Sequence, residues 1–327
     1  MIHYLYTILI SLNPNTIFLK FLIILLFIYI GYLFLYKFKK TSNLAEGFTQ
    51  NERFILKTEH NIYDDFYSDI HDKIHLPEQR VGFELSRVIK MTEPSTQNSV
   101  FLDVGSGTGT QVNELQQAGY RAYGLDKSKA MVDKSEEKYP KCQFKCGDAL
   151  EPMAFEKGTF THVLCTYFTI YHFKDKRTFF RNTNYWLMPN GYLILHLVEP
   201  SKYDAIMPIA KVGFQLNPMN PYKNPHEFES SRITDSIVDF SGFQYKAEYA
   251  FPTPTGKEGK KEVQLKETFK DNASGNIRQN ERTLYMDLLG EILMMAAEEG
   301  FNVKGYVDMK KSEFQDENQY LYVLEKI

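Results

Sequence analysis

Cysteine and tryptophan are scarce in this chain of 327 residues, with three of the first and one of the second. The cysteines are Cys142, Cys146 and Cys165. So small and odd a number excludes a disulfide-stapled scaffold and suits a reducing compartment. Cys142 and Cys146 have no nearby Cys or His pair to complete a tetrahedral zinc site, and no metal is expected. Net charge is also nearly absent: 38 Lys and Arg against 41 Asp and Glu leave −3. Without a bulk positive field, nucleic acid is not an expected partner. Internal repeats and low-complexity tracts are missing too, which excludes solenoids and collagen-like chains. What is present is ordinary globular material, 43% hydrophobic and 24% charged. It is enough for one or two domains with a sizeable core.

Apolar residues concentrate at the amino terminus. Ile17 to Tyr36 reads IFLKFLIILLFIYIGYLFLY, in which fifteen of twenty residues are Leu, Ile or Phe. Twenty helical residues span about 30 Å, the thickness of a bilayer core. Residues 16–40 are therefore expected to form a transmembrane helix, started by Asn13-Pro14-Asn15-Thr16. Residues 1–15 are read as an apolar leader too short to span. A cleaved signal peptide would carry its basic residues before the apolar run and a small-residue cleavage site after it. Here Lys37, Lys39 and Lys40 follow the run. That placement predicts a retained single-pass anchor with the rest of the chain in the cytoplasm. Residues 41–61 are polar and read as a linker.

The remainder, 62–327, alternates short apolar runs with helical spacings. Ser99–Val104 reads as a buried strand, and Arg121–Leu125, Gln143–Lys145, Thr161–Thr166 and Tyr192–Val198 read as further strands. Helical patterns follow Thr110, cover Lys129–Tyr139 and cover Arg177–Leu187. This order predicts an α/β fold with a doubly wound, mostly parallel seven-stranded sheet. Phe301–Met309 and Tyr320–Glu325 supply its closing antiparallel hairpin. Residues 201–283 break the pattern and are expected to form an inserted antiparallel β lid. Phe243–Phe251 and Val263–Phe269 are its strands, joined through Pro252–Lys260. Leu284–Ala297 returns to helical spacing.

The chemistry gathers where the first strand ends. Asp103 is followed by Gly105, Ser106, Gly107, Thr108 and Gly109. Glycines there let backbone approach a ligand at a helix amino terminus. A dinucleotide fingerprint would need Gly or Ala in place of Thr110, which argues against an oxidoreductase. Asp126 ends the second strand, where it can accept from ribose hydroxyls. Asp148 ends the third, where it can accept from an adenine amino group. So acidic a rim suits a cation better than a pyrophosphate.

These residues resemble the class I S-adenosylmethionine-dependent methyltransferases: Asp103-Val-Gly105-Ser-Gly107-Thr-Gly109, then Asp126, then Gly147-Asp148-Ala149. Leu187-Met188-Pro189-Asn190-Gly191-Tyr192-Leu193 is similar to that family's turn into its fifth strand. The resemblance covers roughly residues 63–327, more weakly over 201–283. It implies S-adenosylmethionine as cofactor, with the glycine loop passing its methionine part, Asp126 on the ribose and Asp148 with Ala149 at the adenine. Thr161 departs from the family, where Asp is common. Thr166 and Cys165 are expected near the cofactor.

A sulfonium methyl is already activated, so transfer can rest on orientation, and a general base is optional. Three side chains are nevertheless candidates for catalysis: Tyr63 and Tyr67, four apart in an aromatic-acidic segment, and His172 after the fourth strand. Each also reads as a structural residue, the tyrosines as core aromatics and the histidine as a hydrogen-bonded one. The expected activity is methyl transfer to a small-molecule acceptor, an amine, carboxylate or hydroxyl. Two alternatives stand beside it: a protein methyltransferase acting near membranes, and a tethered module that binds the cofactor without catalysis.

Overall fold

In the computed structural model, residue 50 and residues 52–216, 233–252 and 261–327 are described, with eight helical positions between 20 and 31. The chain divides into two units, Met1–Thr49 and Gln50–Ile327. In the first, most of the span expected over 16–40 lies outside the described residues. Among the described residues no helix is long and apolar enough to cross a membrane, so the anchor is not found. The leader 1–15, the loop 217–225 and the turn 253–260 also lie outside the described residues.

The second unit opens with β1 (Phe54–Thr58), inside the stretch expected to be linker. Helix α1 (Asp65–His75) follows, capped by Asp64, whose side chain accepts from the Tyr67 amide. Helix α2 (Pro77–Thr92) starts with proline at its first turn. The alternation then runs β2 (Val100–Val104), α3 (Thr110–Gln117), β3 (Arg121–Asp126), α4 (Lys129–Lys138), β4 (Gln143–Cys146), β5 (Phe160–Cys165), α5 (Lys176–Trp186), β6 (Leu187–Val198) and α6 (Pro208–Leu216). Four strands come next: β7 (Asp235–Asp239), β8 (Phe243–Ala250), β9 (Glu262–Asp271) and β10 (Ile277–Tyr285). Helix α7 (Leu289–Glu298), β11 (Phe301–Asp308) and β12 (Gln319–Lys326) close the chain.

The main sheet has seven strands in the order β11-β12-β6-β5-β2-β3-β4. Its β6, β5, β2, β3 and β4 are parallel, and β12 and β11 run antiparallel, as the alternation predicted. Every residue of β2 is buried, because helices cover both faces. Val81, Leu85 and Val88 of α2 pack with Phe101, Leu164, Ile194 and Val323 on one side. On the other, Phe180 of α5 meets Phe301. The parallel register sets Asp103 beside Gly124 and Asp126 beside Cys146. The carboxyl ends of β2 to β5 therefore face one rim.

The lid is larger than the two strands expected. It is a five-stranded sheet, β1-β10-β9-β8-β7, in which β1 alone pairs in parallel. β1 is an edge strand with Phe54 and Leu56 half exposed, too short and polar-flanked to stand out. Leu284 lies in β10, not in a helix, and α7 begins five residues later. The inward residues of β10 are Arg278, Asn280, Arg282 and Leu284, all buried. A buried face that is mostly polar carries no hydropathy alternation.

Candidate active site

The glycine loop bends away from β2 with Gly105, Gly107 and Gly109 all in the left-handed region. The Gly105 and Ser106 amides donate to the Leu125 carbonyl, and the Gly107 amide donates to Asp126 Oδ2 at 2.8 Å. Asp126 Oδ1 accepts from the Ser128 amide at 2.9 Å. One bond of this carboxylate thus holds the loop and one the start of α4, leaving at most two of its four or so acceptor positions for a ligand. Burial pushes the Asp126 carboxyl up against the pull of these amides. Asp103 lies beneath the loop, 4% exposed, and is held well above the usual carboxylate range by burial and by the charges of Asp126 and Glu84. At the rim Asp148 accepts from Lys127 Nζ at 2.8 Å and from the Leu150 amide at 2.9 Å. Despite its burial, these bonds hold its carboxyl below the ordinary value.

Asp103, Gly105, Ser106, Gly107, Asp126 and Asp148 line one cavity of about 1170 Å³, whereas Gly109, expected at the cofactor, is not part of its wall. Ala149 and Thr166 line it as well, Thr166 donating to Gln111 Oε1 at 2.9 Å. Cys165 does not; it is wholly buried behind them. The cavity runs on beneath the lid, where Tyr249, Leu265, Arg282 and Leu284 line it.

The three catalytic candidates part company. Tyr63 lines the cavity, its hydroxyl accepting from Arg282. Tyr67 is 0% exposed and outside the lining, so the two tyrosines do not form one wall. Their rings meet edge to face at 5.3 Å. His172 is exposed to the cavity, and its ring stands 6.2 Å from that of Tyr63. Desolvation, then the charges of Arg282 and Lys176, push its pKa down to about 3. It is therefore neutral across the physiological range and accepts hydrogen bonds there.

Several residues of the site were not foreseen. His75, Arg80 and Arg282 line the cavity beside Tyr167 of the stretch that ends at His172. Arg80 is 6% exposed, stacks 3.5 Å over the Tyr167 ring, and leaves its Nε without a hydrogen-bond partner among the described residues. Tyr167 and Phe168 both carry positive φ, a strained turn that follows β5. Glu267 of β9 is completely buried and accepts from Tyr67, Tyr245 and Arg282. A carboxylate on the apolar stripe Val263, Leu265, Glu267, Phe269 is the signal that could have found it. Acids under the loop and an orphaned guanidinium in the same cavity suit a ligand with both cationic and anionic ends.

Comparison with known proteins agrees with this chemistry. Residues 102–195 match a family described as a methyltransferase domain. The chain therefore carries a methyltransferase domain over those residues. Its fold is that of an S-adenosylmethionine-dependent methyltransferase from Clostridium acetobutylicum, at 14% identity and TM-score 0.56, covering 80% of this chain and 97% of that one. It is similar also to an S-adenosylmethionine-bound amino pentose methyltransferase of calicheamicin biosynthesis from Micromonospora echinaspora. That likeness has 18% identity and TM-score 0.52 over 76% of this chain and 90% of the other. A sugar N-methyltransferase from a Streptoalloteichus species follows at 16% identity and TM-score 0.51, over 76% and 87%. No curated protein matches the chain. When bound, the cofactor supplies the enzyme with an electrophilic methyl group on a sulfonium.

Proposed function

We propose that this methyltransferase acts on a small-molecule acceptor held between the glycine loop and the lid. The observation that carries the reading is the single cavity, in which loop residues and lid residues line one space of about 1170 Å³. That exceeds the 300–1,000 Å³ or so of an ordinary ligand pocket and leaves room for an acceptor beside a cofactor. The sugar and amino sugar methyltransferases among the similar folds support a small acceptor.

Within this reading Asp126 takes the ribose hydroxyls with its two remaining acceptor positions. Asp148 and Ala149 border the adenine. Gly105, Ser106 and Gly107 let the backbone pass the methionine part, Gly109 turns the loop into α3, and Asp103 faces its ammonium. Thr166 completes that wall. Arg80 suits the methionine carboxylate, because a buried guanidinium with an unsatisfied Nε gains from an anion. His172 and Tyr63 orient the acceptor.

The test is a screen of metabolite extracts with labelled cofactor, alongside calorimetric titration of S-adenosylmethionine. Label passing to small molecules supports the reading. Label passing only to protein would favour the second substrate class, and cofactor binding without transfer would favour a binding module.

The anchor and the cytoplasmic orientation are a separate proposal, supported by the run Ile17–Tyr36 and by Lys37, Lys39 and Lys40 after it. Full-length protein should pellet with membranes and resist carbonate extraction. In sealed vesicles, protease added outside should digest the domain. Asn272-Ala273-Ser274 lies exposed in the turn between β9 and β10, so a glycan at Asn272 would show the domain in the lumen instead.

A further inference from the structure

A chain of hydrogen bonds crosses the wall of the cavity beneath the lid. Tyr167 Oη lies 3.0 Å from His75 Nδ1. His75 Nε2 lies 3.1 Å from Tyr67 Oη. Tyr67 Oη lies 3.0 and 3.2 Å from the two carboxylate oxygens of Glu267. Tyr245 and Arg282 bind the same carboxylate at 2.8 and 3.0 Å. Tyr67, Tyr245 and Glu267 are 0% exposed, so no water competes for these positions.

The direction of every bond follows from the buried end. An ionised carboxylate only accepts, so Tyr67 spends its one proton on Glu267. Its oxygen then accepts, from Arg282 Nη2 at 3.3 Å and from His75, which places the imidazole proton on Nε2. Nδ1 is left as a lone pair, so Tyr167 spends its own proton on Nδ1. A doubly protonated His75 would break this logic. Burial holds its pKa well below the ordinary value, and the charges of His71, Arg282 and Arg80 push the same way. Tyr167, which lines the cavity, therefore turns only lone pairs toward whatever binds there.

We propose that this polarised chain makes Tyr167 Oη a fixed hydrogen-bond acceptor for the methyl acceptor, so the enzyme selects nucleophiles that carry N–H or O–H. Tyr167 touches the substrate; His75, Tyr67 and Glu267 are positioning residues that set its polarity. Amines and hydroxyls satisfy the site. A carboxylate oxygen, a thioether or a tertiary amine brings only lone pairs, and its approach would set acceptor against acceptor, leaving a buried group unpaired. The same ligand chemistry could come from the ammonium of the cofactor, and the test separates the two. The proposal rests on the small-molecule reading above.

The full-length protein, labelled with ¹⁵N in its histidine rings, reports the chain directly by NMR, with His75 assigned by its loss in His75→Gln. At pH 7 His75 should be neutral, protonated at Nε2 and bare at Nδ1. An Nδ1–H tautomer, or an imidazolium, in the parent protein overturns the proposal without any variant. Glu267→Leu removes the terminal acceptor and should allow the opposite tautomer. Glu267→Gln keeps an accepting oxygen and should preserve the original one; loss of the Nε2–H tautomer there counts against the polarity argument. Adding S-adenosylmethionine alone should leave the Nδ1 resonance in place, whereas a large displacement would give the subsite to the cofactor ammonium and overturn the acceptor assignment. The acceptor recovered by the labelled screen gives the last arm. Its methylated atom should bear N–H or O–H, and Tyr167→Phe should lower kcat/KM by about tenfold, the loss of one hydrogen bond. Methylation of a carboxylate oxygen or a sulfur refutes the selectivity. Failure to bind S-adenosylmethionine at all would sink the functional reading instead, and the tautomer would stand or fall separately.

Discussion

Gly107→Ala tests the cofactor cradle at the point where fold and binding can be told apart. Gly107 has φ +52°, and an added Cβ would find only His71 within reach, at 3.5 and 3.7 Å. Those are ordinary contacts, so the variant meets no clash inside the protein. The left-handed backbone costs an L-residue about 1–2 kcal/mol. At roughly 2–4 °C per kcal/mol for a domain somewhat smaller than this unit, melting should fall by about 2–8 °C. The new methyl occupies space at the loop that the cofactor needs, and affinity should drop by at least about tenfold, or ~1.4 kcal/mol. Gly109 makes the contrast. Its φ is +83°, and a Cβ there would lie 2.5 Å from Phe144 Cζ and 3.0 Å from Ser135 Cβ, so Gly109→Ala should cost more in folding. Thermal unfolding and calorimetric titration of S-adenosylmethionine on both variants decide the matter. A folded Gly107→Ala protein with the affinity of the parent would show that the loop is not the cradle.

Asp126→Ala removes the acceptor of two backbone amides, so both melting temperature and cofactor affinity should fall, the latter by about tenfold or more given 1.5–3 kcal/mol per charged hydrogen bond. Unchanged affinity in a folded variant removes Asp126 from the ribose. Asp103 sets a pH dependence. Its carboxyl is raised by burial, then by Asp126 and Glu84, so the folded state holds that proton more tightly than the unfolded chain. Its contribution to stability is therefore greatest below the unfolded pKa of about 3.9 and is lost as pH rises toward the raised folded value. Without cofactor, Asp103→Asn should melt higher than the parent at pH 7 and lose less stability on going up from pH 4; identical pH profiles would rule Asp103 out as their source. His172→Ala should lower kcat more than cofactor affinity. Because the pKa of His172 lies near 3, no limb of the pH–rate profile between about 5 and 8 should belong to it. A limb near 6.5 that disappears in the variant would contradict the neutral imidazole.

The main sheet and the cofactor loop were legible in the amino-acid sequence because both are local. Buried strands such as β2, β5 and β6 announce themselves as apolar runs, and Gly105-Ser106-Gly107 with Asp126 and Asp148 sits at strand ends. The reversed hairpin of β11 and β12 was legible for the same reason. The lid was only half visible. Phe243–Ala250 alternates and was found, whereas β10 presents Arg278, Asn280 and Arg282 inward and has no apolar period. The roles of single side chains depended on contacts that sequence spacing does not encode. Tyr63 and Tyr67 are four residues apart, yet one lines the cavity and the other is sealed against Glu267, 200 residues away in sequence. His75 and Arg80 looked like ordinary helix residues until Tyr167, on another element, came to lie against both. Periodicity fixes which residues share an element. Only tertiary packing, by excluding water from Glu267 and its partners, decided how Tyr67, His75 and Tyr167 are linked.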